Sequence, residues 1–176
     1  MSTPFATQEG DVTQETILLE SLKELNEFQG EPSEFLKNLL TVKCRIAKAQ
    51  GASLLREGAD GRVQVLALAP APQTDNAVMP EWLKEAVRVF SGKLDAQRIL
   101  IHPFEDHFNL NSTKKHYLVF MPVKVGSIGL GLEVYHFATT DIADLSPLLE
   151  RLQMLMPYFD FYEGRIQLKD YQGRTE

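Results

Sequence analysis

The residues with the clearest chemical potential are four histidines, His102, His107, His116 and His136. Three of them fall with Asp106 inside residues 102–116, and imidazoles with a carboxylate form a set that zinc accepts. The spacing matches no established ligand motif, and loop histidines in an acidic chain are ordinarily solvated, so no metal site is expected. His136 falls in a predicted strand, points opposite to Tyr135 and reads as a packed or edge residue. The single cysteine, Cys44, has no partner for an internal disulfide. With Leu40 and Ala47 beside it on a helix, it reads as a small buried hydrophobe rather than a nucleophile. No paired carboxylates, Gly-rich phosphate loop, nucleophile elbow or metal-binding helix is present, so an enzymatic role is not expected.

Composition sets wider bounds. The chain has 176 residues, 44% hydrophobic and 24% charged, which suits one globular domain. A formal charge of −6 speaks against a nucleic-acid footprint, which needs a clustered positive field. No window approaches the roughly 20 apolar residues of a bilayer span, so no direct membrane contact by this segment is expected. Without a basic start followed by an apolar run, and with one cysteine, the expected compartment is cytoplasmic.

The elements that must position any site follow from hydrophobic periodicity. Residues 1–13 read as a mobile N-terminal tail, residues 14–170 as a single domain, and residues 171–176 as a polar tail or truncation point. Ile17, Leu18, Leu22, Leu25 and Phe28 predict an amphipathic helix from Gln14 to about Gly30. From Pro32 or Ser33, an apolar face running through Phe35, Leu36, Leu39, Leu40, Val42, Ile46, Ala47 and Ala49 predicts a second helix, with Gly51 as its C-cap. Ala52–Arg56 and Val63–Ala69 flank Asp60-Gly61 and predict a hairpin. A proline-containing loop to Pro80 leads to a short helix, Glu81–Phe90, closed by Gly92. A strand at Gln97–His102 and a polar loop at Pro103–Lys115 precede a second hairpin, Tyr117–Phe137.

The first arm of that hairpin is apolar on both faces, as a central strand should be. Pro122 is expected at a bulge or where pairing ends. On the second arm, Gly129 and Gly131 share a face with Glu133 and Tyr135, and Leu130, Leu132 and Val134 share the other. The leucine face is expected to meet the terminal helices. The glycine face would then leave room for a ligand or a crossing backbone. The last segment, Leu145–Leu168, carries a heptad seam of Leu145, Leu148, Leu152, Leu155 and Phe159, kinked or broken near Pro157. A homodimer through the terminal helices is expected from that seam.

The order of elements, the GASLL run at residues 51–55, Asp60-Gly61 followed by VQVLALAP, and VFMPVKVGSIGLGLEVY at residues 119–135 resemble a GAF domain, a sensory relative of the PAS fold. The resemblance covers about residues 15–165. It implies an α+β (α/β sandwich) fold: a GAF-like central antiparallel sheet, N- and C-terminal helices on one face, and a candidate pocket on the other. The pocket lid in that family comes from the short helix and the loop after the following strand. By that likeness the ligand-binding candidates are Trp82, Arg88, His102, Phe104, His107, Phe108 and Asn111, with Met121, Gly129 and Gly131 from the hairpin. Trp82 reads more readily as a core residue, and Phe104 and Phe108 more readily as residues that pin a long loop to the sheet. The sequence departs from the best-known ligand signatures of the family. Cys44 is the only thiol for bilin attachment or sulfoxide reduction, and Phe104-Glu105-Asp106 only echoes the cyclic-nucleotide signature. No cofactor follows. The resemblance implies a non-enzymatic regulatory module that binds a small molecule or partner and signals through its terminal helices. The alternative is a degenerate module serving dimerisation or assembly of a larger protein, such as a membrane-linked transport or secretion adaptor.

Overall fold

The computed structural model of the chain describes residues 16, 19–20, 23, 32–70, 78–105, 114–124, 130–139, 141–150 and 152–153. Outside them lie the N-terminal tail, Pro157 and residues 171–176. Of the helix predicted from Gln14, only Thr16, Leu19, Glu20 and Lys23 are described, and these are helical and exposed.

Helix α1 (Pro32–Ala47) arises from a stripe at Leu36, Leu39, Leu40, Lys43, Cys44 and Ala47, the three-and-four spacing that keeps one face inward. All but half-buried Leu36 in that stripe are buried, including Lys43. Gly51 does not cap this helix. Lys48 takes the left-handed conformation at φ 56°, and two backbone bonds close the end, Lys48 N to Arg45 O at 3.2 Å and Ala49 N to Cys44 O at 3.1 Å. That paired arrangement satisfies the last carbonyls of the helix without a glycine.

Strands β1 (Gly51–Glu57) and β2 (Val63–Ala69) form the first predicted hairpin. Its turn uses Gly61 at φ 78° and the Asp60 carboxylate, which accepts from Arg62 N at 3.0 Å. A register shift opposite Leu54 and Leu55 gives β2 an extra residue, Leu66. Helix α2 (Glu81–Asp95) runs past Gly92, contrary to the expected stop. Gly92 is exposed and meets no neighbour, and the chain turns instead at Gln97, with φ 51°.

Strands β3 (Leu100–Phe104), β4 (Lys115–Lys124) and β5 (Leu130–Thr139) complete one antiparallel sheet in the order β2-β1-β5-β4-β3. β3 therefore runs two residues beyond the predicted His102. β5 is the middle strand, paired to β1 and β4. Pro122 pairs in register with Leu132 of β5, so the hairpin does not end there. It does lie past the last rung to β3, Leu100 with Phe120, where β4 has a neighbour on one side only and a missing N–H is tolerated.

Both faces of the sheet are covered, and the expected assignment of faces is reversed. Leu132 and Val134 of β5 pack with Leu118, Phe120, Leu55 and α2, through Trp82, Leu83, Ala86 and Phe90. The face of Gly131, Glu133 and Tyr135 takes α1 and the C-terminal helical residues that follow a 3-10 turn at Ile142–Asp144. The reason is electrostatic. Glu133 accepts from Lys43 Nζ at 2.5 Å and from the Tyr135 hydroxyl at 2.5 Å, and the Lys43 and Glu133 side chains are 2% and 3% exposed. α1 carries Lys43, the cation that pairs with this carboxylate and offsets its burial.

The described part of the predicted dimer seam is used inside the chain. Leu145 and Leu152, 1% and 0% exposed, belong to the core under α1, and half-buried Leu148 packs against it. Leu155 and Phe159 lie outside the described residues.

Removing one partner of a desolvated pair strands the other charge. Lys43→Met should therefore lose about 3–5 kcal/mol in urea unfolding, and the double variant Lys43→Met/Glu133→Met should recover most of that loss. A single variant as stable as the parent would show that the pair does not hold α1.

Candidate functional site

Helix α2 brings chemistry to the sheet at its N-terminal half. Trp82, Leu83, Ala86 and Phe90 face inward, while Glu81, Lys84, Glu85 and Arg88 follow the outer and lateral sides. Gly51 is needed beneath this helix, because a Cβ there would stand 2.7 Å from Trp82 Cζ2. Trp82 thus rests directly on the backbone at the start of β1.

Beside that contact, Glu85 joins α2 to β3. It accepts from Arg88 Nε at 2.9 Å and Arg88 Nη2 at 2.5 Å, and its Oε1 lies 3.0 Å from His102 Nε2. Two donors forked on one carboxylate favour its charged form. The Arg88 hydrogen bonds are the main reason that the Glu85 carboxyl is held down at about 2, against partial burial, with His102 adding in the same direction. His102 also meets Phe120 edge-on at 6.2 Å between ring centroids. A groove of about 340 Å³ runs between these elements, lined by Glu81, Lys84, Glu85, Arg88, Pro103, Phe104 and Glu105.

Of the sequence-predicted residues, Trp82, Arg88, His102 and Phe104 come together on the α2 face, with Arg88 and Phe104 lining the groove. Met121 and Gly131 do not join them. Met121, 3% exposed, belongs to the core under α1, and Gly131 shares the Glu133 face, a consequence of the reversed assignment of faces. His107, Phe108, Asn111 and Gly129 lie outside the described residues. Cys44 is also under α1, where burial pushes its thiol up to about 11, so it is a poor nucleophile and far from α2 chemically as well as topologically. Among the described residues, no three His, Cys, Asp or Glu side chains are grouped to hold a metal ion.

The space between α2 and the sheet is occupied by Trp82, Leu83 and Phe90 themselves. Sequence reasoning missed three polar features of the sheet: the Lys43–Glu133–Tyr135 contact under α1, and on the α2 side the Glu85 bridge and a close pair formed by His116 and His136. Lys43 in an apolar helical stripe and Glu133 in a strand covered on both sides were the available signals for the first.

Glu85 has a folded value of about 2, below its ordinary 4.5, so its contribution is fully present above pH 4.5 and lost as pH falls toward about 2. Glu85→Gln should be less stable than the parent at neutral pH, with the difference shrinking when both are unfolded in urea near pH 3, about midway through that window. A difference independent of pH would remove the ionic part of this bridge.

No protein-family model and no curated protein sequence matches the chain. Solved structures do. The phycoerythrobilin-bound GAF domain of a cyanobacterial phytochrome is 13% identical, with a TM-score of 0.53, covering 91% of this chain and 99% of that one. The nlh2 GAF domain of A. aeolicus in an inactive state is 16% identical, with a TM-score of 0.52, covering 85% and 96%. The phycocyanobilin-bound GAF domain of a cyanobacterial phytochrome is 14% identical, with a TM-score of 0.52, covering 90% and 96%. With the antiparallel five-stranded sheet, the helices on its two faces and these likenesses in view, the chain has a GAF-like fold.

Proposed function

We propose that this chain is a non-enzymatic regulatory module that receives a small molecule or partner on the α2 side and passes the change to its terminal helices. The observation that carries this reading is the double use of β5. On one face Glu133 and Tyr135 hold α1 through Lys43, and on the other Val134 and His136 meet α2 and its Trp82. A displacement of α2 is thereby only one strand away from the helix that would report it. Such coupling needs an input that binds the two arrangements unequally.

The groove beside Phe104 supplies an aromatic wall and alternating charges, a mixture suited to a small polar ligand. Two of the similar structures are bilin-bound GAF domains, so bilins belong among the compounds to test. Attachment at the groove through a cysteine of this chain is ruled out by the position of Cys44 under α1.

One observation favours the second reading, a degenerate module kept for assembly. Trp82, Leu83, Ala86 and Phe90 fill the space between α2 and the sheet with the chain's own side chains. Under that reading the terminal helices dimerise a larger protein.

A thermal-shift screen with nucleotides, cyclic nucleotides, haem, bilins and amino acids separates the two. A ligand that binds the folded state at about 100 times its Kd adds about 2.7 kcal/mol of stability and a concentration-dependent rise in Tm. A rise that is lost in Arg88→Ala places the ligand at the groove. No rise with any compound, together with a dimer by light scattering, would favour assembly, and a monomer would count against dimerisation.

A further inference from the structure

Strands β4 and β5 set two imidazoles against each other on the α2 face. The rung that pairs Leu118 with His136 leaves His116 diagonal to it, within side-chain reach. His116 Nδ1 lies 3.0 Å from His136 Nε2, and the ring planes are 23° apart with centroids separated by 5.2 Å, as in two rings joined edge to edge by a hydrogen bond. His136, 7% exposed, also meets Trp82, with ring centroids 5.7 Å apart and planes at 22°. Phe104 stands edge-on to both imidazoles, at 6.3 Å from His116 and 6.0 Å from His136. The remaining ring nitrogen of His116, Nε2, is buried without a hydrogen-bond partner.

These contacts select a tautomer. Only one hydrogen fits between two ring nitrogens at this separation, so one ring donates and the other presents a bare nitrogen. If His116 accepted, its hydrogen would sit on Nε2, a buried donor with nothing to receive it. If His116 donates from Nδ1 to His136 Nε2, its own Nε2 is bare, and an unmet acceptor is the milder omission. A proton taken up by the pair ends that arrangement. Wherever it lands, keeping the shared bond makes it imidazolium to imidazole and puts a hydrogen on His116 Nε2, where no acceptor waits and the charge is buried, and a second proton sets two N–H groups and two like charges face to face so that the rings separate.

We propose that the His116–His136 pair is a proton-operated clamp on α2, with Trp82 as the element it holds. Above the imidazole range the imidazole pair is closed and Trp82 lies nearly parallel beside His136. On acidification the pair opens and releases Trp82 with the N-terminal half of α2. This gives the module an input, the proton, that needs no cavity. It rests on the regulatory reading for its purpose only, since the pair's chemistry is the same in either proposed function.

The charged and titratable groups along the elements packed here have other commitments or directions. Glu81 pairs with Lys84, and Glu85 with Arg88 and His102. Glu105 lies at the end of the groove, Lys114 at the exposed entry to β4, and Lys115 on the opposite face of that strand. Lys43, Glu133 and Tyr135 lie across the sheet, under α1. The Glu85 bridge loses its charge only below pH 4.5, beneath the imidazole range, so the two events are separable.

Trp82 is the only tryptophan, and its emission therefore reports this contact directly. In the full chain, emission should change in one reversible step between about pH 8 and pH 5. The step should vanish in His136→Phe and in His116→Phe, which keep a ring in place, and persist in His102→Gln. A parent without the step, or a step that survives in either phenylalanine variant, overturns the clamp. If a variant does not fold by circular dichroism, imidazole nitrogen NMR on the parent decides. A bare His116 Nε2 and a hydrogen-bonded His136 Nε2 at neutral pH support it, and two rings that titrate independently overturn it. Failure of the ligand screen leaves this result untouched, and failure of the clamp leaves the ligand reading untouched.

Discussion

A lysine and a glutamate, both removed from water, determine how this domain is put together. Each ion gives up several kcal/mol of hydration on burial, and the loss is offset only where geometry is good and the spare lone pairs are used. Here the Lys43 ammonium meets one oxygen of Glu133 and the Tyr135 hydroxyl meets the other. The consequence is positional. Sliding α1 by one turn, about 5.4 Å, would leave both charges unpaired in an apolar layer, whereas a purely aliphatic contact would tolerate the slip far better. α1 is thereby fixed in rotation and height against the middle strand, and the remaining apolar residues, Leu40, Cys44 and Ala47, pack around a contact that has already chosen their neighbours.

The opposite face is keyed by shape rather than charge. Trp82 lies against Gly51, where even a methyl group would intrude, and meets the His136 ring within an apolar cluster. Glu85 adds a polar tie to β3 at the rim. Each face of β5 thus carries one specific anchor within an otherwise interchangeable set of apolar contacts: Glu133 toward α1, His136 toward α2. The two anchors are three residues apart on one strand, which is why a single element can register both helices.

Features that depend on neighbouring residues were legible in the sequence. The stripe of α1, the Asp60-Gly61 turn, the two-sided apolar run of β4 and the alternation along β5 are all local, and all appear. Helix ends were less legible, because Lys48 and Gln97 adopt the left-handed conformation usually left to glycine, while Gly92 and Gly51 serve elsewhere. The faces of β5 were not legible at all. Leu132 with Val134 and Glu133 with Tyr135 are both compatible with burial, and the choice of helix for each depends on Lys43, 90 residues away. The His116–His136 contact is hidden for the same reason, since it exists only once the β4–β5 register is known. Four of the candidate site residues, Trp82, Arg88, His102 and Phe104, share the α2 face because helix and strand periodicity place them there, whereas Met121 and Gly131 followed the mistaken face.

Magnitudes separate what can move from what cannot. Reversing a two-state population from 1:99 to 99:1 takes about 5.5 kcal/mol of differential binding, and one unit of proton linkage supplies about 1.4 kcal/mol. A single histidine contact therefore biases a balance that is already close; it does not unseat a helix held by a buried ion pair whose disruption is opposed by about 3–5 kcal/mol. Under the proposed reading the element that moves is the one without a buried ion pair among the described residues, the N-terminal half of α2, held by the apolar packing of Trp82, Leu83 and Ala86, a ring contact and a rim carboxylate. α1 would then be the firmer of the two helices, and β5 the beam through which a shift of α2 reaches it. A proton at His136 or a ligand beside Phe104 would act on the same end of the same helix, so the two inputs would be coupled through Trp82 whether or not they ever meet.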